Sequence, residues 1–138
     1  MASSASKYSN PNFSGEVEFD YDNHNGRYMI GSGSMQFELA FSGASNGSIH
    51  ILNDPANIEG IALAHDAKSF SEIKDASKFD YTSRLRTPHT GEIVTLVNQN
   101  GFFAAIKLGE IKARSHGAKR SSVSFKYVIN QEKETSFV

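Results

Sequence analysis

The chain contains no cysteine and no tryptophan, and it has only 3 prolines among its 138 residues. The lack of cysteine excludes a disulfide scaffold, a thiolate zinc site and a cysteine nucleophile. The scarcity of proline excludes a proline-rich linker. No run of about 18 consecutive apolar residues occurs, so the sequence predicts no membrane-spanning helix and no membrane partner. Hydrophobic residues still make up 38% of the chain, with 10 Phe and 5 Tyr, which is enough for one modest core.

The two ends of the chain are poor in apolar residues. Residues 1–12 are mostly small and polar and lack the apolar run of a secretory signal. We expect a flexible leader over 1–12, a single β-rich domain over 13–130 and a loose tail over 131–138. The expected location is the cytoplasm.

The net charge of −1 hides an uneven distribution along the chain. Residues 1–80 carry a net charge of −6 and residues 81–126 carry +6. Either the two stretches pair with each other, within one molecule or between two copies, or the basic stretch faces an anionic partner. The basic residues of this stretch are Arg84, Arg86, Lys107, Lys112, Arg114, Lys119, Arg120 and Lys126.

Apolar and polar residues alternate through the first part of the chain, which is typical of half-exposed antiparallel strands. Val17, Phe19 and Tyr21 alternate with acidic residues, and the Asn25-Gly26 pair that follows is a strong signal for a tight turn. Further strands are predicted at 27–30, 35–41 and 49–51. The middle of the chain is less regular. A short helix is predicted from Asp54 through Ala62. Residues 69–78 are predicted to form either a second short helix or a strand.

The last third returns to β-structure. The sequence predicts a central strand over 91–97, a turn over 98–101 and a returning strand in which Gly109 forms a bulge or bend. Phe102 and Phe103 are consecutive, so they face opposite sides of that strand. A closing strand follows over 123–129. The predicted fold is therefore mostly β: a single antiparallel barrel or sandwich of about seven strands, with one or two short helices.

The segment from Ser83 to Gly91 is the most distinctive candidate for binding. Arg84 and Arg86 lie two positions apart, and arginine side chains bind phosphate or carboxylate with two parallel hydrogen bonds. Thr87 and His89 add further donors. The alternative is that both arginines pair with the acidic face of Glu16, Glu18 and Asp20. The second candidate segment is the basic loop that contains Arg114, Lys119 and Arg120.

Glu110 and Lys112 suggest a different chemistry. They lie two positions apart on a predicted strand and so share one face. In metal-dependent nucleases a carboxylate so placed binds a divalent ion and a lysine orients the attacking water. Glu92 or Asp80 would supply the second carboxylate.

No other pattern indicates a reaction. The five histidines show none of the close spacings typical of a metal site, and no Gly-x-Ser-x-Gly elbow or phosphate-binding loop is present. We therefore expect no metal and no cofactor. The sequence favours a non-catalytic binding module whose basic edge, residues 84–126, engages an anionic small molecule or an acidic protein surface. The alternatives are a nucleic-acid-binding domain and a metal-dependent nuclease, and a homo-oligomer is also considered.

Overall fold

A computed structural model describes residues 8–21, 26–45, 47–64, 67–112 and 121–137 of the chain. Within these ranges three single-turn 3-10 helices, Gly33–Met35, Phe70–Glu72 and Ala76–Lys78, accompany ten strands. The strands are β1 (Ser9–Asn10), β2 (Ser14–Phe19), β3 (Arg27–Ile30), β4 (Phe37–Ser45), β5 (Ser48–Leu52), β6 (Ile58–Leu63), β7 (Leu85–Arg86), β8 (Ile93–Asn98), β9 (Phe103–Lys112) and β10 (Ser122–Ile129). The prediction of a mostly β fold is confirmed.

The strands form two five-stranded sheets. Sheet 1 has the order β1-β3-β4-β5-β7, and sheet 2 has the order β2-β10-β9-β8-β6. Neighbouring strands are antiparallel, except that β1 is parallel to β3. The sheets do not close into a barrel, so the sandwich is the correct one of the two predicted architectures.

The main core lies between the sheets and follows from the alternation in the sequence. Inward residues of sheet 1 meet inward residues of sheet 2, and the closing strand β10 contributes every second residue as predicted. The largest of these buried side chains include Phe37, Leu39, Ile51, Ile106, Phe125 and Tyr127.

The outward face of sheet 2 is also partly covered. The covering segment, residues 67–82, is called the strap here, and its buried Ile73 and Ala76 pack with Ile93 and Ala105 of the sheet. This explains why β8 is apolar on both faces, as the sequence predicted for a central strand. Phe102 packs against the core between the sheets and Phe103 against the second cluster, which confirms that they face opposite ways.

The helix predicted from Asp54 through Ala62 is wrong. Residues Ile58–Leu63 form strand β6, which pairs with β8 and has a bulge between Ile58 and Gly60. Both faces of β6 are largely buried, so the apolar residues show no period of two, and the bulge further disturbs the spacing. The spacing of the apolar residues in β6 therefore resembles that of a short helix.

The strap contains the other irregular segment. Two 3-10 turns occupy it where the sequence suggested a short helix or a strand. The main-chain amides of Lys68 and Ser69 donate to the Glu72 carboxylate and lower its pKa. The Tyr81 hydroxyl donates to the carbonyl of Ala76 (2.7 Å) and lies 2.8 Å from the Thr95 hydroxyl, so it fixes the strap to β8.

Two predicted features around β9 are confirmed. The turn that precedes it is closed by a hydrogen bond from the Gly101 amide to the Asn98 carbonyl, with Gly101 at a positive φ of 84°. The pairing of β9 with β10 shifts its register at Gly109, which is the predicted bulge. The earlier turn at Asn23–Asn25 lies outside the described residues.

The described parts of the two terminal segments contact the sheets or the strap. Ser9 and Asn10 pair with Met29 and Ile30 of β3. Near the other end, the Phe137 amide donates to the Ile73 carbonyl, and Phe137 packs against the cluster beneath the strap. Near the start of the chain, Tyr8 and Phe13 also pack against the core between the sheets.

Candidate functional site

Arg84 and Arg86 lie at the edge of sheet 1, in and beside β7. Arg86 Nη2 donates to the Asp80 carbonyl (2.7 Å) and lies 3.4 Å from the Asp80 carboxylate. The Thr82 hydroxyl and amide, and also Arg86, lower the pKa of Asp80. Arg84 is exposed, and its carbonyl accepts from the Asn53 amide. Arg86 therefore fastens the end of the strap to β7, and Arg84 is the freer of the two guanidinium groups.

The suggested pairing of both arginines with the acidic face of β2 is wrong. Strand β7 neighbours β6, which is one edge of sheet 2, whereas β2 forms the opposite edge of that sheet. The partner of Arg86 is Asp80, six positions earlier in the chain.

Thr87 and His89 make mostly internal contacts. The Thr87 hydroxyl lies 2.8 Å from His50 Nδ1, on the neighbouring strand β5. The His89 amide donates to the Glu92 carboxylate (2.6 Å), while the His89 ring is exposed. Thr87 is thus engaged with the sheet, and of this pair only His89 offers an open side chain.

The second predicted segment lies outside the described residues. Arg114, Lys119 and Arg120 belong to the stretch that connects Lys112, the end of β9, to Ser122, the start of β10. Their assignment as binding residues stays a prediction.

Glu110 and Lys112, the central residues of the nuclease alternative, lie on one strand as the sequence predicted. Glu110 and Lys112 both lie on β9, exposed, with 3.7 Å between the Lys112 ammonium and the Glu110 carboxylate. Glu92 caps the turn at His89 with its carboxylate. In the part of the chain that the structure describes, no three His, Asp or Glu side chains form a group that could hold a metal ion.

A charged row crosses the outward side of sheet 2 beyond the strap. Glu16 of β2 is directly opposite Lys126 of β10, and Lys126 is directly opposite Lys107 of β9. Their side chains point away from the core because Val17, Phe125 and Ile106, their neighbours in sequence, point into it. This surface, centred on Glu16, Lys126 and Lys107, is called the open face here.

The open face contains a shallow depression of about 130 Å³. Its floor is the Gly109 bulge, beside which the Ser124 hydroxyl accepts from the Glu110 amide (2.8 Å). A Cβ at position 109 would lie 2.6 Å from Ser124 Oγ, so a side chain there would displace the serine. The lining residues are Glu16, Lys107, Leu108, Gly109, Ser124, Phe125 and Lys126.

The two lysines of the open face have acidic residues nearby but form no ion pair with them within the described ranges. Glu16 is directly opposite Lys126. The Lys68 amide lowers the pKa of Glu72 most, and Lys107 lowers it further. Lys107 Nζ also donates to the Lys68 carbonyl (2.8 Å). Like charges directly opposite each other on adjacent strands destabilise a sheet. A bound anion between them would remove this repulsion.

Sequence reasoning counted both lysines in the basic stretch but did not select them as binding residues. The alternation in β9 and β10 indicates that both point outward. Their direct opposition depends on the strand register, which the Gly109 bulge shifts, and this register is not readable from the sequence.

Comparison with protein-family models, with curated proteins and with solved structures found no match for this chain. Among the described residues, no helix has the length and apolar character needed to cross a membrane.

Proposed function

We propose that the protein is a non-catalytic binding module that engages an anionic partner through the basic stretch 84–126. The observation that carries this proposal is the direct opposition of Lys107 and Lys126 beside a depression on the open face. Arg84, His89 and the cations at 114, 119 and 120 are additional candidates on other parts of the same stretch.

Charge and placement together favour this function. Two ammonium groups on adjacent strands attract an anion more strongly than either one alone, and the paired strands fix the two main-chain positions from which the side chains extend. The segment that carries Arg114, Lys119 and Arg120 begins and ends on the same two strands, β9 and β10.

The test is a fluorescence-polarisation titration of labelled single-stranded DNA, RNA and a poly-glutamate peptide at low and moderate salt. We expect at least one of these anions to bind. The double variant K107Q/K126Q should weaken its binding at least tenfold, because a hydrogen bond to a charged group contributes about 1.5 kcal/mol or more. If DNA or RNA binds more tightly than the poly-glutamate peptide, and with a strong dependence on salt, the result favours the nucleic-acid-binding alternative.

The matched control is K74Q, which removes an exposed lysine from the strap, away from the depression. It should bind as the unaltered protein does. If no anion binds, the proposed function is wrong. If K74Q and K107Q/K126Q lower the affinity equally, the open face is not the binding surface, and the variants R84Q and R114Q/K119Q/R120Q then show whether another part of the stretch binds.

A further inference from the structure

The depression on the open face is small and has two unlike ends. Its volume of about 130 Å³ is well below that of a typical drug-sized site. It therefore suits one anionic group with the adjoining part of its carrier, and not a whole folded domain. A macromolecule would reach it only through a single projecting group.

The lysine end of the depression selects for an anion. Lys107 and Lys126 each present an ammonium group, which donates hydrogen bonds and accepts none. The Lys68 carbonyl occupies one donor of Lys107 and restrains this side chain at the rim. A phosphomonoester carries a charge of about −1.5 to −2 at neutral pH. It therefore balances the charge of two lysines better than a ligand with a single carboxylate does.

Glu16 gives the opposite end a different requirement. Its carboxylate is exposed, lines the depression, and forms no ion pair with any other described residue. An ionised carboxylate only accepts hydrogen bonds, and it repels a second anion. A ligand that fills both ends must therefore present donors, such as hydroxyl groups, next to its anionic group.

The floor of the depression offers a hydroxyl group. Gly109 lines the depression, and the space that its side chain would take is filled by Ser124, whose Oγ would lie 2.6 Å from a Cβ there. The Ser124 hydroxyl already accepts from the Glu110 amide, and its own proton makes only a long contact of 3.4 Å with the Glu110 carbonyl. Because a hydroxyl rotates freely, this proton is available to an oxygen of the ligand.

We infer that the depression binds a phosphorylated sugar, with the phosphate between Lys107 and Lys126 and the sugar hydroxyls donating to Glu16. This inference rests on the proposed function and specifies its ligand class. The lysines and Glu16 together require a ligand that carries an anionic group and hydroxyl groups on the same carbon chain.

Isothermal titration with glucose 6-phosphate, glucuronate, inorganic phosphate and glucose tests the inference. We expect glucose 6-phosphate to bind most tightly and glucose to show no binding. The variant E16Q should weaken glucose 6-phosphate at least fivefold, because an ionic acceptor for the hydroxyls is lost. The same variant should strengthen inorganic phosphate about twofold, because a repelling charge is removed. K107Q/K126Q should abolish binding of both, and K74Q should change neither.

The possible outcomes separate the inference from the proposed function. If glucuronate binds more tightly than glucose 6-phosphate, the site is assigned to carboxylated sugars and the phosphate assignment is wrong. If E16Q strengthened both phosphate ligands, the sugar would not reach Glu16, and the inference would be wrong. Suppose that no small anion binds, but the unaltered protein binds DNA, RNA or poly-glutamate and K107Q/K126Q does not. The inference would then be wrong, and the proposed function would stand. If nothing bound in either experiment, both would fail.

Discussion

At the scale of single residues, the side chain of Asn98 forms four hydrogen bonds with main-chain groups. Its side-chain amide donates to the carbonyls of Ser34 and Gln36, at 2.9 and 3.1 Å, and its carbonyl oxygen accepts from the amides of Asn100 and Phe102. The residue is 1% exposed. One side chain thus closes the β8–β9 turn and ties it to the 3-10 turn at Gly33–Met35.

We predict that N98A lowers the free energy of unfolding by about 1–3 kcal/mol, since the buried side chain and its hydrogen bonds to main-chain groups are lost. Urea denaturation followed by circular dichroism measures this change. N98D should be at least as damaging, because a carboxylate cannot donate to the two carbonyls. Q99A alters the exposed neighbour and should change stability by less than about 0.5 kcal/mol. A loss as large in Q99A as in N98A would contradict the prediction.

The role of Asn98 shows where prediction from the sequence ends. The Asn-x-Asn-Gly pattern predicted a turn at this position, and the turn is present. The pattern contains no information about Ser34 and Gln36, which are 64 and 62 positions away. The same limit applies to Lys107 and Lys126, whose outward orientation was predictable but whose opposition was not.

At the scale of elements, the strap determines which part of sheet 2 is open. Its apolar residues cover β8 and the adjoining part of β9, and the tail covers them further through Phe137. Burial of the Tyr81 hydroxyl between strap and sheet raises the pKa of Tyr81 from 10.0 to about 12. The attachment of the strap is therefore sensitive to alkaline pH.

We predict that part of the stability of the protein is lost between pH 10 and pH 12. The unfolded chain loses the Tyr81 proton near its ordinary pKa, whereas the folded chain holds it to a higher pH. This contribution is fully present below pH 10 and disappears as pH rises through the folded pKa. The measurement is the free energy of unfolding at pH 9 and pH 11.5, for the unaltered protein and for Y81F.

The comparison with Y81F isolates this contribution. Burial also raises the pKa of Tyr127 to about 12, but Tyr127 is present in both proteins, so its effect cancels in the difference. Y81F should be less stable than the unaltered protein at pH 9 and should lose less stability on going to pH 11.5. Parallel pH profiles would mean that the Tyr81 proton is not coupled to folding.

Strands with one buried face were predictable from their alternation, and β8, which is buried on both faces, was predictable from its continuous apolar run. Strands β2, β4 and β10 alternate clearly, and the sequence identified all three. Strand β6 is buried on both faces and bulged, so its apolar spacing was mistaken for a helix. The strap has no regular period, because its contacts come from single-turn helices and extended chain.

At the scale of the whole molecule, the acidic and basic stretches of the sequence are not two separate sides of the fold. The acidic strand β2 lies next to β10, so Glu16 is the neighbour of Lys126. The acidic residues also occupy an edge strand: β2 ends sheet 2, and Glu16 and Glu18 on it are exposed. Charged residues on an edge strand oppose pairing with another copy.

This arrangement bears on the self-association that the sequence suggested. If two copies paired antiparallel through β2, centred on Val17, Glu16 of each would lie opposite Glu18 of the other. Like charges directly opposite each other destabilise such a pair, and low salt strengthens the repulsion. Complementary association of acidic and basic faces has the opposite dependence, because salt screens the attraction.

We predict that the unaltered protein is monomeric at low salt and that E18T, which removes both repulsive pairs, associates more readily. Threonine favours extended backbone, so the substitution keeps β2 intact, and Glu16 of each copy would then lie opposite an uncharged residue. Light scattering coupled to size exclusion, at low and high salt, measures the mass of each protein. The control is K78Q, which alters an exposed strap residue away from the edge and should not change the mass. A dimer of the unaltered protein that forms at low salt and dissociates at high salt would show that complementary charges, and not edge repulsion, govern association.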